Sequence, residues 1–247
     1  DRWLGSSLPT SVLCATSVVC SVVIVRANRV VLDSGIIGPW TLGLLHYSFL
    51  RSFISLMRAA GQISPSSAKI QPFQRITMAA IALLANIASN FSLKTNTVST
   101  YQLFKLLVIP IQVAIYISVF GVRYVWSTLV ALLLILMGVY LATESTFTTN
   151  PTGLAVGLTS AIVVSMETVG NGEAKKSYNL STLQFNAATT WIRASICAVF
   201  ALTFEFEYIR SALRVNVLIA SSPLFFLSLM LSCVAAVGVN IISVAII

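Results

Sequence analysis

Residues 99–120 read STYQLFKLLVIPIQVAIYISVF, a stretch of 22 residues with a single charged side chain, Lys105. An α-helix needs about 20 predominantly apolar residues to cross the hydrocarbon core of a bilayer. The stretch therefore predicts a membrane-spanning helix, and comparable runs recur along the chain. The predicted spans are residues 9–32, 37–57, 76–93, 99–120, 124–142, 153–171, 182–204 and 220–243.

The composition of the whole chain agrees with this prediction. Its 247 residues are 57% hydrophobic and 9% charged, and the mean hydropathy is +0.92. Since soluble domains carry about 25% charged residues, the composition excludes a soluble enzyme. It also excludes a nucleic-acid-binding tail, despite the formal net charge of +8. The expected fold is all-α, a polytopic transmembrane helix bundle, because isolated strands would leave backbone groups unsatisfied in lipid.

The basic residues in the connections and towards the ends of the spans predict the orientation, because such residues are enriched on the cytosolic side. One side carries eight of them and the other carries five. The larger group is Arg2, Arg51, Arg58, Lys69, Arg75, Arg123, Lys175 and Lys176. We therefore expect a multi-pass integral membrane protein with a cytosolic N-terminus.

Three charged residues lie well inside predicted spans: Lys105, Glu167 and Arg193. Each costs roughly 2.5–3.5 kcal/mol at the centre of a span, which is normally tolerated only when the side chain faces the bundle interior or a water-filled cavity. These positions are the strongest functional signal of the sequence.

Lys105 belongs to a polar stripe on the fourth span, which Pro110 should bend. Four polar residues lie within about 60° of Lys105 around the helix: Tyr101, Gln102, Gln112 and Tyr116. One cation in a polar stripe on a bent helix is typical of an anion-binding cavity wall. The alternative is a packing seam from which Lys105 reaches the nearer membrane interface.

Arg193 repeats this pattern on the seventh span. Four polar residues share its face: Thr182, Asn186, Thr189 and Thr190. Arginine suits phosphate because its guanidinium offers a planar fork of donors. The alternative is an ion pair with Glu167. On the third span, Ser89 and Asn90 offer contacts to a sugar or a base, or they act as packing residues between helices.

The sequence contains no metal-binding motif, nucleophile motif, P-loop or intramembrane carboxylate pair. It favours moving or binding an anion over converting one. We therefore expect no enzyme activity, no metal and no cofactor.

Residues 89–106 read SNFSLKTNTVSTYQLFKL, and Pro110 follows. This stretch resembles the third-to-fourth-span signature of the triose-phosphate translocator and nucleotide-sugar transporter family, within the drug/metabolite transporter superfamily. Shorter similarities to the family lie at the end of its first span (residues 26–29), in its second span (42–47) and before its seventh span (175–178). Asn240 falls at a position of the eighth span where the family commonly has Asn.

The resemblance implies a ten-span bundle of two inverted five-helix repeats. Residues 1–147 would form the first repeat, and residues 148–247 an incomplete second repeat with spans six to eight. The family's ninth and tenth spans are then missing, so we expect a fragment truncated at its C-terminus.

The resemblance also implies site residues. Lys105 matches a lysine that contacts phosphate in the family, Ser89 matches a hydroxyl position of the same site, and Asn186 is kept from a base-reading motif. Together with the polar stripes, this gives the expected substrate-binding residues: Lys105, Tyr101, Gln102, Ser89, Asn90, Asn186 and Arg193.

The function implied is antiport of a nucleotide sugar for a nucleoside monophosphate by alternating access, in the Golgi or endoplasmic reticulum membrane. One alternative is a phosphorylated-sugar/phosphate translocator of the plastid envelope. Another is a truncated membrane protein that does not transport. The expected partners are an anionic small-molecule substrate, membrane lipid and a second copy in a homodimer, with no nucleic acid.

Overall fold

The computed structural model describes residues 10–63, 70–213 and 223–245, and every regular element within these ranges is an α-helix. The helices are α1 (Thr10–Asp33), α2 (Pro39–Ala59), α3 (Pro72–Thr95), α4 (Val98–Phe120), α5 (Trp126–Thr149), α6 (Pro151–Ser177), α7 (Thr182–Phe204), α8 (Phe206–Leu213) and α9 (Pro223–Ala245).

Each predicted span coincides with one of these helices, and only the short α8 was not predicted. Five helices, α1, α3, α4, α6 and α7, are long and apolar enough to cross a membrane. The described parts of α5 and α9 add shorter apolar helices, whereas α2 is more polar because it carries Arg51 and Arg58. The predicted class, a polytopic membrane helix bundle, is confirmed.

Local sequence signals set the helix ends. Four helices begin with proline, whose missing N–H costs nothing in the first turn: α2, α3, α6 and α9. At the start of α4, the Thr97 hydroxyl accepts a hydrogen bond from the Thr100 amide. Ser181 and Gln184 form a reciprocal capping box at the start of α7. The helix α4 ends at Phe120 and is capped by Gly121, whose φ of 65° lies in the left-handed region.

The chain divides into two compact units. Unit 1 comprises residues 1–79 and 175–247, and unit 2 comprises residues 80–174. The two repeats predicted from the sequence, residues 1–147 and 148–247, divide the chain differently from these units. They stay a prediction.

Within unit 1, α1 packs on α9 and α2 packs on α7, while α9 also contacts α2 and α7. Leu50, Ile54, Ile63, Leu183 and Val237 form one apolar cluster of this unit. The cluster brings α2, α7 and α9 together through side chains removed from solvent, which stabilises the unit by burial of apolar surface.

A buried glutamate joins the beginning of α2 to the end of α7. Glu205 is 4% exposed, and its carboxylate accepts hydrogen bonds from the Trp40 and Thr41 amides at 2.9 and 2.8 Å. The Thr41 hydroxyl donates a third bond at 2.7 Å. A carboxylate at a helix N-terminus satisfies unpaired amides and suits the helix dipole. Gly38 is required here, because a Cβ at this position would lie 2.2 Å from the carboxylate.

A second buried polar network of unit 1 joins three helices. The His46 ring nitrogen Nε2 lies 2.5 Å from the Ser232 hydroxyl, which in turn donates to the Asn28 side-chain oxygen. All three residues are buried. By these contacts, His46 acts as a hydrogen-bonded packing residue between helices.

Within unit 2, α4 packs on α5, and it approaches α6 through a close aromatic contact. A Cβ at Gly157 would lie 2.1 Å from the buried Phe104 ring, so only glycine leaves room for that ring. The Ser165 hydroxyl donates to the Val108 carbonyl at 3.1 Å, and the Asn96 side chain donates to the Gly153 carbonyl at 2.9 Å. The contacts of Phe104 and Val108 hold α4, the helix that carries Lys105, against α6.

Candidate substrate-binding site

Lys105 and Tyr101 lie one helical turn apart on α4 and contact each other. The Lys105 Nζ lies 5.0 Å from the centroid of the Tyr101 ring, a cation–π distance. The Tyr101 ring is 6% exposed, whereas Lys105 is exposed. No carboxylate of the described unit 2 forms an ion pair with Lys105. Its charge is therefore available to an anion.

Three of the expected site residues of unit 2 line one cavity. Ser89, Tyr101 and Lys105 border it, together with Ser92 and Ser160. The hydroxyl of Ser92 is buried and has no hydrogen-bond partner within the described residues. The cavity volume is about 20 Å³, enough for about one water molecule and far below the size of a nucleotide site. A larger anion would have to approach Lys105 from its exposed side.

The other two expected residues of unit 2 do not line this cavity. Asn90 is 5% exposed and donates to the Asn86 side-chain oxygen at 3.3 Å, within its own helix. Gln102 is half-buried. Asn90 is therefore a buried residue whose side chain is hydrogen-bonded within α3.

Arg193 lies in the interior of unit 1, where it is 7% exposed. Its Nη2 donates to the Asn186 side-chain oxygen at 2.9 Å and to the Thr189 hydroxyl, two residues of the predicted polar face of α7. Its guanidinium carbon lies 5.3 Å from the Tyr47 ring centroid and 5.5 Å from that of Phe185. Planar contact with rings is a property of arginine that lysine lacks.

The charge of Arg193 lacks a compensating anion within its unit. No carboxylate of the described unit 1 pairs with it, and its Nε is buried without a hydrogen-bond partner. Glu167, the ion-pair partner of the alternative interpretation, accepts hydrogen bonds from Asn171 at 3.1 Å and Thr168 at 3.4 Å on its own helix. A buried cation normally has an anionic partner, so an anionic ligand would suit Arg193.

Sequence reasoning missed a larger basic cavity in unit 1. Arg51, Arg58 and Arg75 border a space of about 810 Å³, together with Gln184 and Trp191. In the sequence, the three arginines serve only to predict the orientation. One signal was present in the sequence, because Arg51 lies within the predicted span 37–57.

Within the described residues, no group of three or more His, Cys, Asp or Glu side chains could hold a metal ion. The candidate site residues of each unit offer cations, hydroxyls, amides and aromatic rings, which can bind anions and sugars.

The fold and these contacts define a polytopic α-helical membrane protein with cations on apolar helices. No family model matches the chain. It is similar to UDP-rhamnose/UDP-galactose transporters 1, 2 and 3 of Arabidopsis thaliana, with 24%, 24% and 26% identity over 92% of this chain. The resemblance to nucleotide-sugar transporters is thereby confirmed. The chain spans 64–65% of the length of these relatives.

Proposed function

We propose that the protein takes part in the transport of a nucleotide sugar across a membrane. The observation that carries the proposal is the similarity, over 92% of the chain, to transporters named for UDP-rhamnose and UDP-galactose. The geometry supports it, because each compact unit presents a cation on an apolar helix without a carboxylate partner in that unit.

Each unit contains its own candidate anion-binding residues. In unit 2, the exposed ammonium of Lys105 contacts a phosphate of the substrate, and the hydroxyls of Ser89 and Ser92 lie on the same cavity. In unit 1, the guanidinium of Arg193 is oriented by Asn186 and Thr189. Hydrogen bonds between a cation and a phosphate are roughly twice as strong as neutral ones, and arginine binds phosphate with two parallel bonds.

The proposed mechanism is antiport by alternating access, with a nucleoside monophosphate as the returning substrate. Exchange is economical for a site built from fixed cations, because the empty site would leave these charges uncompensated in a membrane. An anion bound in either direction lowers this electrostatic cost.

We propose a Golgi or endoplasmic reticulum membrane as the location and a cytosolic N-terminus. The excess of basic residues on one side of the predicted topology, eight against five, supports the orientation. The resemblance of residues 89–106 to nucleotide-sugar transporters supports the compartment. Epitope tags at the N-terminus, probed before and after selective permeabilisation of the plasma membrane, test the orientation. A tag that becomes accessible only after the organelle membrane is opened would contradict it.

The transport experiment uses purified protein in proteoliposomes loaded with UMP. We expect uptake of labelled UDP-galactose or UDP-rhamnose that depends on internal UMP and exceeds uptake by protein-free vesicles. Uptake equal to that of the protein-free vesicles would contradict the proposal. Exchange of inorganic phosphate for a triose phosphate, without UDP-sugar exchange, would instead identify a phosphorylated-sugar translocator.

A further inference from the structure

The cavity bordered by Arg51, Arg58 and Arg75, here called the arginine cavity, lies at the end of unit 1 where α2 ends and where α3 and α7 begin. Its volume of about 810 Å³ falls in the range of small-molecule sites, roughly 300–1,000 Å³. The cavity is therefore large enough for a ligand of nucleotide or headgroup size.

The charge of the arginine cavity is uncompensated. Three guanidinium groups border it, and no Asp or Glu is among its described lining residues. The Nε of Arg75 is buried and has no hydrogen-bond partner within the described part of the chain. Like charges in one cavity repel each other, and an anion that bridges them removes this repulsion. The arrangement thus favours a ligand with more than one negative charge.

The two arginines of α2 give the cavity its length. Arg51 and Arg58 are seven residues apart, so they share a helix face and are separated by about 10 Å along the axis. One phosphate group does not span this distance. A diphosphate, or a phosphate attached to a further polar group, does.

The opposite wall is formed by one stripe of α7. Gln184 and Trp191, also seven residues apart, flank Ala187 and Ala188, which leave space between them. The Trp191 ring is 47% exposed and offers an apolar surface. The ligand that fits this wall has an apolar or planar portion next to its anionic portion.

The arginine cavity is separate from the Arg193 contacts on the same helix. At 100° per residue, Trp191 and Arg193 point about 160° apart, and the Gln184–Trp191 stripe is opposite the stripe of Asn186, Thr189 and Arg193. Arg193 is buried against Tyr47 and Phe185, whereas Trp191 is half exposed on the cavity side.

We propose that the arginine cavity is a binding site for a phosphate-bearing anion, held by the guanidinium groups of Arg51, Arg58 and Arg75. Two sources share this chemistry. One is a soluble nucleoside diphosphate, and the other is the headgroup of an anionic phospholipid, since basic pockets between membrane helices on the cytosolic side bind such headgroups. Because the proposed site does not require transport, a binding measurement alone tests it.

The test measures binding to the purified chain in neutral detergent. The probes are UDP and a short-chain phosphatidylinositol 4-phosphate, each against the short-chain phosphatidylcholine as reference. We expect saturable binding of at least one phosphate probe, weakened about 100-fold in the triple variant Arg51→Gln/Arg58→Gln/Arg75→Gln. The probe that binds identifies the source. Absence of saturable binding of both probes to the unaltered chain would overturn the proposal.

A matched control removes three arginines elsewhere. Arg26, Arg123 and Arg210 are exposed and do not border the cavity, so their replacement by Gln should change the affinity less than twofold. Equal weakening in this control would overturn the proposal, because it would show that only the net charge matters.

A single variant keeps the test valid if the triple variant does not fold. Arg58 is exposed in the last turn of α2, so Arg58→Gln leaves the buried core of unit 1 unchanged. We expect this variant to bind the probe about tenfold more weakly. Unchanged binding in this variant would contradict the proposal. Transport and binding are separate measurements: if UDP-sugar uptake fails while probe binding and its weakening in Arg58→Gln persist, the proposed function fails and the arginine cavity stands.

Discussion

Neutralising Glu205 tests how unit 1 is held together. Its carboxylate accepts the amides of Trp40 and Thr41 and the Thr41 hydroxyl, which joins the end of α7 to the beginning of α2. The same two helices bring Tyr47 against Arg193. We predict that Glu205→Gln destabilises unit 1 and also loosens the Arg193 contacts.

The magnitude follows from the number of acceptors. A glutamine side chain has one acceptor oxygen, so its amide nitrogen must replace one carboxylate oxygen and meet a backbone N–H. At least one hydrogen bond to a charged group is lost, worth about 1.5–3 kcal/mol, and a buried donor is left unpaired. The favourable interaction with the α2 dipole is lost as well. We expect the free energy of unfolding to fall by about 2–4 kcal/mol.

The assay is unfolding by SDS titration in mixed micelles, followed by tryptophan fluorescence. The control is Glu207→Gln, since Glu207 lies two residues further along, is exposed and should change the unfolding free energy by less than about 0.5 kcal/mol. If Glu205→Gln unfolds at the same SDS fraction as Glu207→Gln, the buried carboxylate does not hold the two helices together.

Two further variants test the packing within each unit. Gly157→Ala places a methyl group against the buried Phe104 ring, so we expect it to destabilise the protein by about 1–3 kcal/mol in the same SDS titration. The control is Gly170→Ala, which has open space around it and should be neutral or stabilising. Ser232→Ala removes the hydroxyl bonded to the His46 ring and leaves a buried nitrogen unpaired, so we expect a loss of about 1–3 kcal/mol by that assay. If Gly157→Ala or Ser232→Ala is as stable as the unaltered chain, the contact that the variant alters does not stabilise its unit.

Helix positions were largely predictable from the sequence. The spans predicted at 99–120 and 182–204 coincide with α4 (Val98–Phe120) and α7 (Thr182–Phe204). The bilayer demands about 20 apolar residues, and the capping residues Thr97 and Ser181 mark where they begin. Both signals are local, which is why they can be found without coordinates.

Local periodicity also predicted the neighbours of the two cations. Tyr101 precedes Lys105 by four residues, and Thr189 and Asn186 precede Arg193 by four and seven. Helix geometry alone places such residues on one face. The contacts found between them within each unit follow from that spacing.

Contacts between distant segments could not be predicted in this way. Glu205 meets Trp40 from 165 positions away, and the arginine cavity combines Arg58 of α2, Arg75 of α3 and Trp191 of α7. No periodic pattern links these positions, because their proximity depends on how the helices pack. The same arginines satisfied the orientation rule, so their charge alone did not indicate a cavity.

We propose that Lys105 binds the phosphate of the transported anion. The direct measurement is the rate of UDP-galactose uptake into UMP-loaded proteoliposomes by the unaltered chain, by Lys105→Ala and by Lys94→Ala, which removes an exposed cation at the end of α3. Loss of a charge-assisted contact worth about 1.5–3 kcal/mol predicts uptake that is slower by a factor of about 10–100 in Lys105→Ala, with Lys94→Ala near the unaltered rate. Equal uptake by the unaltered chain and Lys105→Ala would contradict the claim.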